Sequence, residues 1–307
     1  MGLRIRTNVA SINSQRRLSQ STNQLQQSMS KLASGKRINK AADDAAGLAI
    51  SSNLSAGVRS LNQAKRNALD GVSMVQTAEG GLVESASILS RLRELSVQSA
   101  SDTLGNQERK YLNQEYQAMK NELDRIASST EFNGARLLLG TDESNRPEGL
   151  EGVPSNPMEI QIHKDYYSEA DSLDASNPVN IIRLDMSQLG AYCSDLGLGK
   201  TGEDDATEIE SKVGAQSSIG RLDTAITEVN SHRAYLGSIQ NRLSSTINNI
   251  GVQAENIDQA KSRIVDADYA AETAEYTKFN ILQQAGTSTL AQANAQPQIA
   301  LSLLNSM

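Results

Sequence analysis

The chain has no tryptophan and only two phenylalanines and eight tyrosines among 307 residues. Its interior must therefore be filled by aliphatic side chains and alanine, which suit helix-on-helix seams. Cys193 is the single cysteine, so no intramolecular disulfide can form and the fold does not depend on oxidation. No run of eighteen apolar residues occurs, which excludes a membrane-spanning helix and predicts no membrane insertion. The stretch after Arg16-Arg17 is polar, Leu18-Ser19-Gln20-Ser21-Thr22-Asn23, so the pair does not read as a twin-arginine signal and no secretory signal is expected. Gly2 is followed at position 6 by Arg6 rather than Ser or Thr, against myristoylation. The acid-free, arginine-bearing start imitates a mitochondrial transit peptide, but its helical pattern continues without a break.

Charge of one sign is missing from whole segments. Residues 1–42 carry eight Lys or Arg and no acid, 141–210 carry sixteen acids against four bases, and the tail from 265 carries four acids and one base. The net charge of −7 conceals this segregation.

What the chain does have is a period of seven. Leu222, Val229, Leu236, Leu243, Ile250, Ile257 and Ile264 stand one heptad apart, which keeps one stripe on one face of a slightly supercoiled helix. A second stripe runs through Leu54, Leu61, Ala68, Val75, Leu82 and Leu89, and predicts a helix over 43–99 on the order of 85 Å long. Earlier, Ile5, Val9 and Ile12 share a face, followed by Leu18, Leu25 and Leu32 with Met29 beside them. Gly35 reads as the end of that helix and Lys36-Arg37 as a polar joint. Gly105-Asn106 reads as a stop followed by an N-cap. The next seam is predicted at Leu112, Tyr116, Met119, Leu123 and Ile126, and Phe132-Asn133-Gly134 as a hairpin turn.

Past the hairpin the chain changes character. Pro147, Pro154, Pro157 and Pro178 cluster there, and Ile160-Gln161-Ile162 and the run from Val179 to Leu184 read as strands. Heptads resume from about Glu208, and no proline interrupts 179–296. The predicted fold is mainly α, an elongated antiparallel helical coiled-coil bundle with a small β-containing outer element and both termini together at one end. The expected segments are an N-terminal assembly arm (1–42), the N-terminal part of a helical rod (43–140), a short variable outer β/loop element (141–205), a C-terminal heptad helix (206–264) and a C-terminal assembly arm (265–307). Because the heptads bypass 141–205, its replacement by a short turn is expected to leave polymerisation intact.

Candidate chemistry is sparse. Gly197-Leu198-Gly199-Lys200-Thr201 imitates the end of a phosphate-binding loop, but Ser194 stands where that motif needs a glycine and no buried strand precedes it; a flexible turn is the plainer reading. Asp266 and Asp268 lack the oxygen ligand and glycine of a calcium loop and read as polar residues at a helix break. His163 and His232 belong to no zinc pattern, and His232 is expected on a solvated helix face. Cys193 reads as an inert thiol, and Glu203-Asp204-Asp205 as a solvated turn. No catalytic, metal or cofactor-binding residue is expected. The basic arm has no interleaved aromatics, which argues against nucleic acid.

The two ends resemble bacterial flagellins over about residues 3–140 and 206–305. At the start the likeness rests on Arg6-Thr7-Asn8, Leu32-Ala33-Ser34-Gly35 with Arg37-Ile38-Asn39, and the stretch from Ala42 to Ile50, ADDAAGLAI. Arg93-Glu94-Leu95-Ser96-Val97-Gln98-Ser99 and Glu131-Phe132-Asn133-Gly134 follow. At the end it rests on Ile281-Leu282-Gln283-Gln284-Ala285-Gly286, Leu290-Ala291-Gln292-Ala293-Asn294, Pro297-Gln298 and Leu301-Ser302-Leu303-Leu304. The resemblance implies a non-enzymatic structural subunit of the flagellar filament, exported unfolded by the flagellar type III apparatus and serving motility. It implies an extracellular filament, leaving sheathed or periplasmic variants open. Its implied partners are copies of itself, an export chaperone, and cap and junction proteins. Ends that cannot bury their own apolar stripes should order on assembly, driven by burial of arm residues such as Leu18, Leu25, Leu32, Ile281, Leu282, Leu290 and Leu304. In flagellins read by their Toll-like receptor, positions matching Arg91, Leu95 and Glu115 make the main contact. The alternatives are a hook-filament junction protein, a non-exported coiled-coil scaffold, and an enzyme with its site in 141–205.

Overall fold

The computed structural model describes residues 7–140, 157–164, 180–185, 189–199 and 207–305, the last nine of these by backbone alone. Ile5, Lys200, Thr201, the Glu203-Asp204-Asp205 turn and the side chain of Leu304 lie outside the described residues. Within them the chain forms α1 (Val9–Ser34), α2 (Ala45–Ser99), α3 (Asn106–Ser129), a hairpin of β1 (Glu131–Phe132) and β2 (Ala135–Arg136), the strands β3 (Met158–Gln161) and β4 (Ile181–Leu184), α4 (Lys212–Val265) and α5 (Tyr269–Asn305). Two compact units result, one of residues 1–58 and 255–307 and one of residues 59–254.

Local chemistry accounts for the breaks. Gly35 ends α1 at φ 67, a left-handed cap open to glycine without Cβ strain. Asp44 accepts from the Gly47 amide at 2.8 Å and so caps α2. Its neighbour Asp43 accepts from the amides of Asn39 and Lys40, each at 2.9 Å, and these bonds hold its carboxyl below the ordinary value. Asn133 and Gly134 both take positive φ, 52 and 79, the twist that a two-residue turn between β1 and β2 needs. α3 starts one residue earlier than its sequence suggests. Asn106 is the first helical residue and Gly105 the cap, which as glycine has no side chain to make a capping bond; the Glu108 carboxylate sits where a Cβ at Gly105 would stand.

In the unit of residues 59–254, α2 and α4 run antiparallel: the Ser99 hydroxyl donates to the Ile209 carbonyl at 2.6 Å, Arg93 meets Asp223, and Leu243 approaches Gly71. The stripe at Leu61, Ala68, Val75, Leu82 and Leu89 is buried, as is that at Leu222, Val229, Leu236, Leu243 and Ile250. Each fully buried Leu or Val is worth roughly 1.5–3 kcal/mol before ordering costs.

The α3 seam differs from its predicted phase. Its buried positions are Arg109, Asn113, Tyr116, Lys120, Leu123 and Ala127, so Leu112, Met119 and Ile126 stand at the margin. Hydropathy misses this seam because half of it is polar. Those side chains serve the backbone of an irregular neighbour. Arg109 donates to the carbonyls of Ser99 and Ser101 at the end of α2, a cation at a helix C-terminus. Asn113 accepts from the Ile209 amide, Lys120 donates to the Leu198 carbonyl at 3.1 Å, Asp124 accepts from the Cys193 amide at 2.8 Å, and the Ser128 and Tyr192 hydroxyls lie 2.6 Å apart.

The segment 189–199 thus belongs to the core. Leu189, Ala191, Cys193, Leu196 and Leu198 are buried in the same cluster as the heptad leucines. β3 and β4 pair antiparallel with Ile160 opposite Ile182, and Ile160 reaches α2 where Gly71 leaves room. The loop at Gly197 and Gly199, φ 69 and 66, is a packed turn, not a flexible one, and removing 141–205 would strip the core of these side chains. Burial pushes the Cys193 thiol well above its ordinary range, as expected of an inert thiol. His232 is half-buried, against the expected solvated face, and burial lowers its pKa despite Glu228 and the Gly190 backbone.

Burial also lowers the pKa of Lys120, which is 0% exposed. The unfolded chain then binds more protons between the depressed folded value and the ordinary lysine value, so this group makes stability rise as pH climbs toward about 10. Lys120→Met removes a buried charge while Leu198 O keeps the Thr207 amide and hydroxyl, at 2.9 and 3.0 Å. The variant is expected to be more stable than wild type at pH 7 by about 1–3 kcal/mol, with the gap narrowing at pH 9–10. Denaturant midpoints at the two pH values check this, and a variant less stable at both would contradict it.

Candidate functional site

The unit that holds both chain ends is built differently. α1 and α5 pack antiparallel along a seam that mixes polar side chains with glycine, alanine and half-buried leucines. Asn8 caps α1 through the Ser11 amide and donates its side-chain amide to the Ala293 carbonyl at 2.7 Å. Ser11 donates to Asn294, Ser21 and Ser28 are the buried residues of α1, and Lys31 meets Glu272 at 3.7 Å. Leu18 lies over Gly286, where a Cβ would come within 3.2 Å of it. At the joints, the Arg37 amide donates to Val265 O and the Ala267 amide to Gly35 O, with Lys36 bridged to Asp266. Asp268 then caps α5 by accepting from the amides of Ala270 and Ala271, which makes the two aspartates features of a helix break.

The arm pair covers its apolar residues unequally. Leu18, Leu25, Leu32 and Leu290 are half-buried, while Ile281 and Leu282 are 61% and 46% exposed. Val9, Ile12, Met29 and Tyr269 are exposed as well. Tyr269, Ala270, Thr273, Ala274, Thr277 and Ile281 line a shallow open groove along one side of α5. Ile257 and Ile264, the last members of the α4 stripe, are only half-buried.

In the unit of residues 59–254, Arg91 and Glu115 are brought together. The Arg91 guanidinium spans Glu115 at 2.8 Å and Glu94 at 2.9 Å on exposed faces of α2 and α3, and these hydrogen bonds raise its pKa further. Leu95 is not beside them on the surface: it is 1% exposed, inside the core. Among the described residues no group of histidine, cysteine and carboxylate side chains is placed to hold a metal ion.

The N-terminal helical region of bacterial flagellin matches residues 5–143 of this chain, and its C-terminal helical region matches 219–304. A flagellin of Halalkalibacterium halodurans is 40% identical, covering 98% of this chain and 99% of its own length. The chain belongs to the bacterial flagellin family. The flagellin of Bacillus subtilis is 39% identical over 98% of this chain and 100% of its own. A solved chain described as a flagellar hook-associated protein of Vibrio parahaemolyticus is similar at a TM-score of 0.55, covering 73% of this chain and 100% of that one, but is only 13% identical, a likeness of fold alone. As a flagellin, the protein is a structural subunit of the helical flagellar filament.

The burial difference between Leu95 and Arg91 is measurable. Leu95→Ala is expected to cost about 2–5 kcal/mol of monomer stability through a core cavity. Arg91→Ala should cost less than about 1 kcal/mol, since its ion pairs are exposed. Equilibrium unfolding of both variants checks the contrast, and a mild Leu95 variant would place that side chain at the surface.

Proposed function

We propose that the α1–α5 pair is the assembly element of this flagellin, and that its open face is covered in the filament by the same pair from neighbouring subunits. The observation that carries the reading is the exposure of Tyr269, Ile281 and Leu282 along α5 of the paired arms. Leu18, Leu25, Leu32 and Leu290 would complete their burial there, each adding toward 1.5–3 kcal/mol, offset by the cost of immobilising the subunit. Leu304 is assigned to the same role from its place in the sequence.

The finer expectations follow from the family. The protein is secreted to an extracellular filament, passes the type III apparatus unfolded, and meets an export chaperone and the cap and junction proteins on its way. Its lone thiol and lack of disulfides suit that route. Its role is structural, without catalysis. The exposed Arg91–Glu115 pair is the position through which we infer that a Toll-like receptor would read it, with Leu95 supporting the surface from beneath.

Removing residues 265–307 leaves α1 without its partner. The truncated protein is expected to keep the helical circular dichroism and cooperative unfolding of residues 59–254 yet to add nothing to filament seeds in electron micrographs. Growth of seeds by the truncated chain would show that assembly rests elsewhere.

A further inference from the structure

The unit of residues 59–254 has two outward helix faces that carry no charge. On α2, the residues at 69, 73, 76, 80, 83, 87 and 90 are all exposed, and they advance in alternate steps of four and three, the spacing of a helix-packing seam. They begin Leu69, Ser73, Gln76, Gly80, Val83, Ser87, with Leu69 at 47% and Val83 at 42% exposure. On α4, positions 231, 234, 238, 241, 245, 248 and 252 are likewise all exposed, in steps of three and four, beginning Ser231, Ala234, Ser238, Asn241, Ser245, Asn248 and ending at Val252. Each stripe spans about 32 Å. The outer face of a solvated helix ordinarily carries the charges.

The flanks of the stripes have opposite sign. Between 67 and 90, α2 contains Asp70, Glu79 and Glu84 and no base. Between 229 and 254, α4 contains Arg233 and Arg242 and no acid. None of the three acids forms an ion pair with another described residue, and the Nε of Arg233 is buried without a hydrogen-bond partner. Gly80 is a helix-interior glycine with no atom within 4 Å of where a Cβ would stand. It costs the helix about 1 kcal/mol relative to alanine and relieves no crowding within the chain.

We propose that these are the two halves of one contact, the acid-flanked face of α2 on one copy of this chain docking along the base-flanked face of α4 on the next. The inference rests on filament assembly and names a surface for it outside the terminal arms. Equal length, matching seam spacing, short uncharged side chains and opposite rims all fit the two faces to each other. The contact joins unlike faces, so it propagates and does not close into a pair.

Three variants test it, each first confirmed as folded by circular dichroism and thermal unfolding. An acid-to-base variant, Asp70→Lys with Glu84→Lys, and a base-to-acid variant, Arg233→Glu with Arg242→Glu, should each raise the critical concentration for seeded growth by roughly tenfold or more. The chain carrying all four substitutions should grow on its own seeds again but elongate wild-type seeds poorly. If either single-face variant unfolds, Glu84→Gln and Arg233→Gln replace it, with a smaller rise of the same sign. Single-face variants that assemble like wild type, or a four-fold variant no better than they are, would overturn the contact while leaving filament assembly standing. Failure of the wild-type chain to polymerise would instead strike at the assembly reading itself.

Discussion

Everything in this protein depends on a seven-residue seam filled without large rings. Short aliphatic side chains can close a seam only where a second helix follows the first at close and constant distance, so the two heptad stripes require each other. Leu61 to Leu89 and Leu222 to Ile250 meet that condition and are buried. Where the stripes continue, Leu54 before the first and Ile257 and Ile264 after the second are half-buried, although the period is unchanged. The repeat therefore runs beyond the cover that one chain supplies. That surplus is what separates a subunit from a self-sufficient domain: the apolar pattern is specified further than a monomer can use it.

α3 shows how the same seam accepts polar residues. The segment 189–199 has no regular partner for its amides and carbonyls, and in a dry interior each unpaired group would cost on the order of 1–3 kcal/mol. α3 supplies side chains at helical spacing, Lys120, Asp124 and Ser128, to bond that backbone and the Tyr192 hydroxyl. An irregular loop is thereby held as firmly as a strand. The arrangement carries a desolvation cost at Lys120, whose amine faces a carbonyl at 3.1 Å and forms no ion pair among the described residues.

Much of this was legible in the sequence, for identifiable reasons. Gly35, Asn133 and Gly134 take positive φ where their residue types predicted a stop and a turn, and the long heptads appear as two helices of 55 and 54 residues. β4 falls within its alternating run, and β3 overlaps the other but begins two residues before it, at Met158. What hydropathy could not reveal is polarity in the service of packing. The α3 seam was placed on Leu112, Met119 and Ile126 because Asn113 and Lys120 do not score as core, and Cys193, Leu196 and Leu198 sit in a proline- and acid-rich stretch that reads as water-facing. Leu95 belongs to a motif associated with surface recognition, yet it falls in register with the α2 seam. In the arms the sequence showed which residues were apolar but not which were covered. The seam holds Asn8, Ser11, Ser21 and Ser28 together with the half-buried Leu18, Leu25 and Leu32, while Ile281 and Leu282 are left exposed.

The segregation of charge bears on why such a chain would build an open polymer and not a dimer. A two-fold pair places a face against its own copy. For the α2 face that sets three carboxylates opposite three carboxylates, and for the α4 face it sets arginine opposite arginine, so both pairings are repulsive at their rims. The basic segment of residues 1–42 and the acidic one from 265 meet that attraction within one chain, where Lys31 reaches Glu272. Like-with-like contacts are thus penalised at both faces of the rod helices, and the attractive combination joins unlike surfaces. Unlike contacts leave one half of each surface unsatisfied at each end of the assembly, and that vacancy is what the next subunit fills. On this argument the mild net charge matters less than its distribution. A chain with the same −7 spread evenly would lose the bias against closed pairs while keeping every heptad intact.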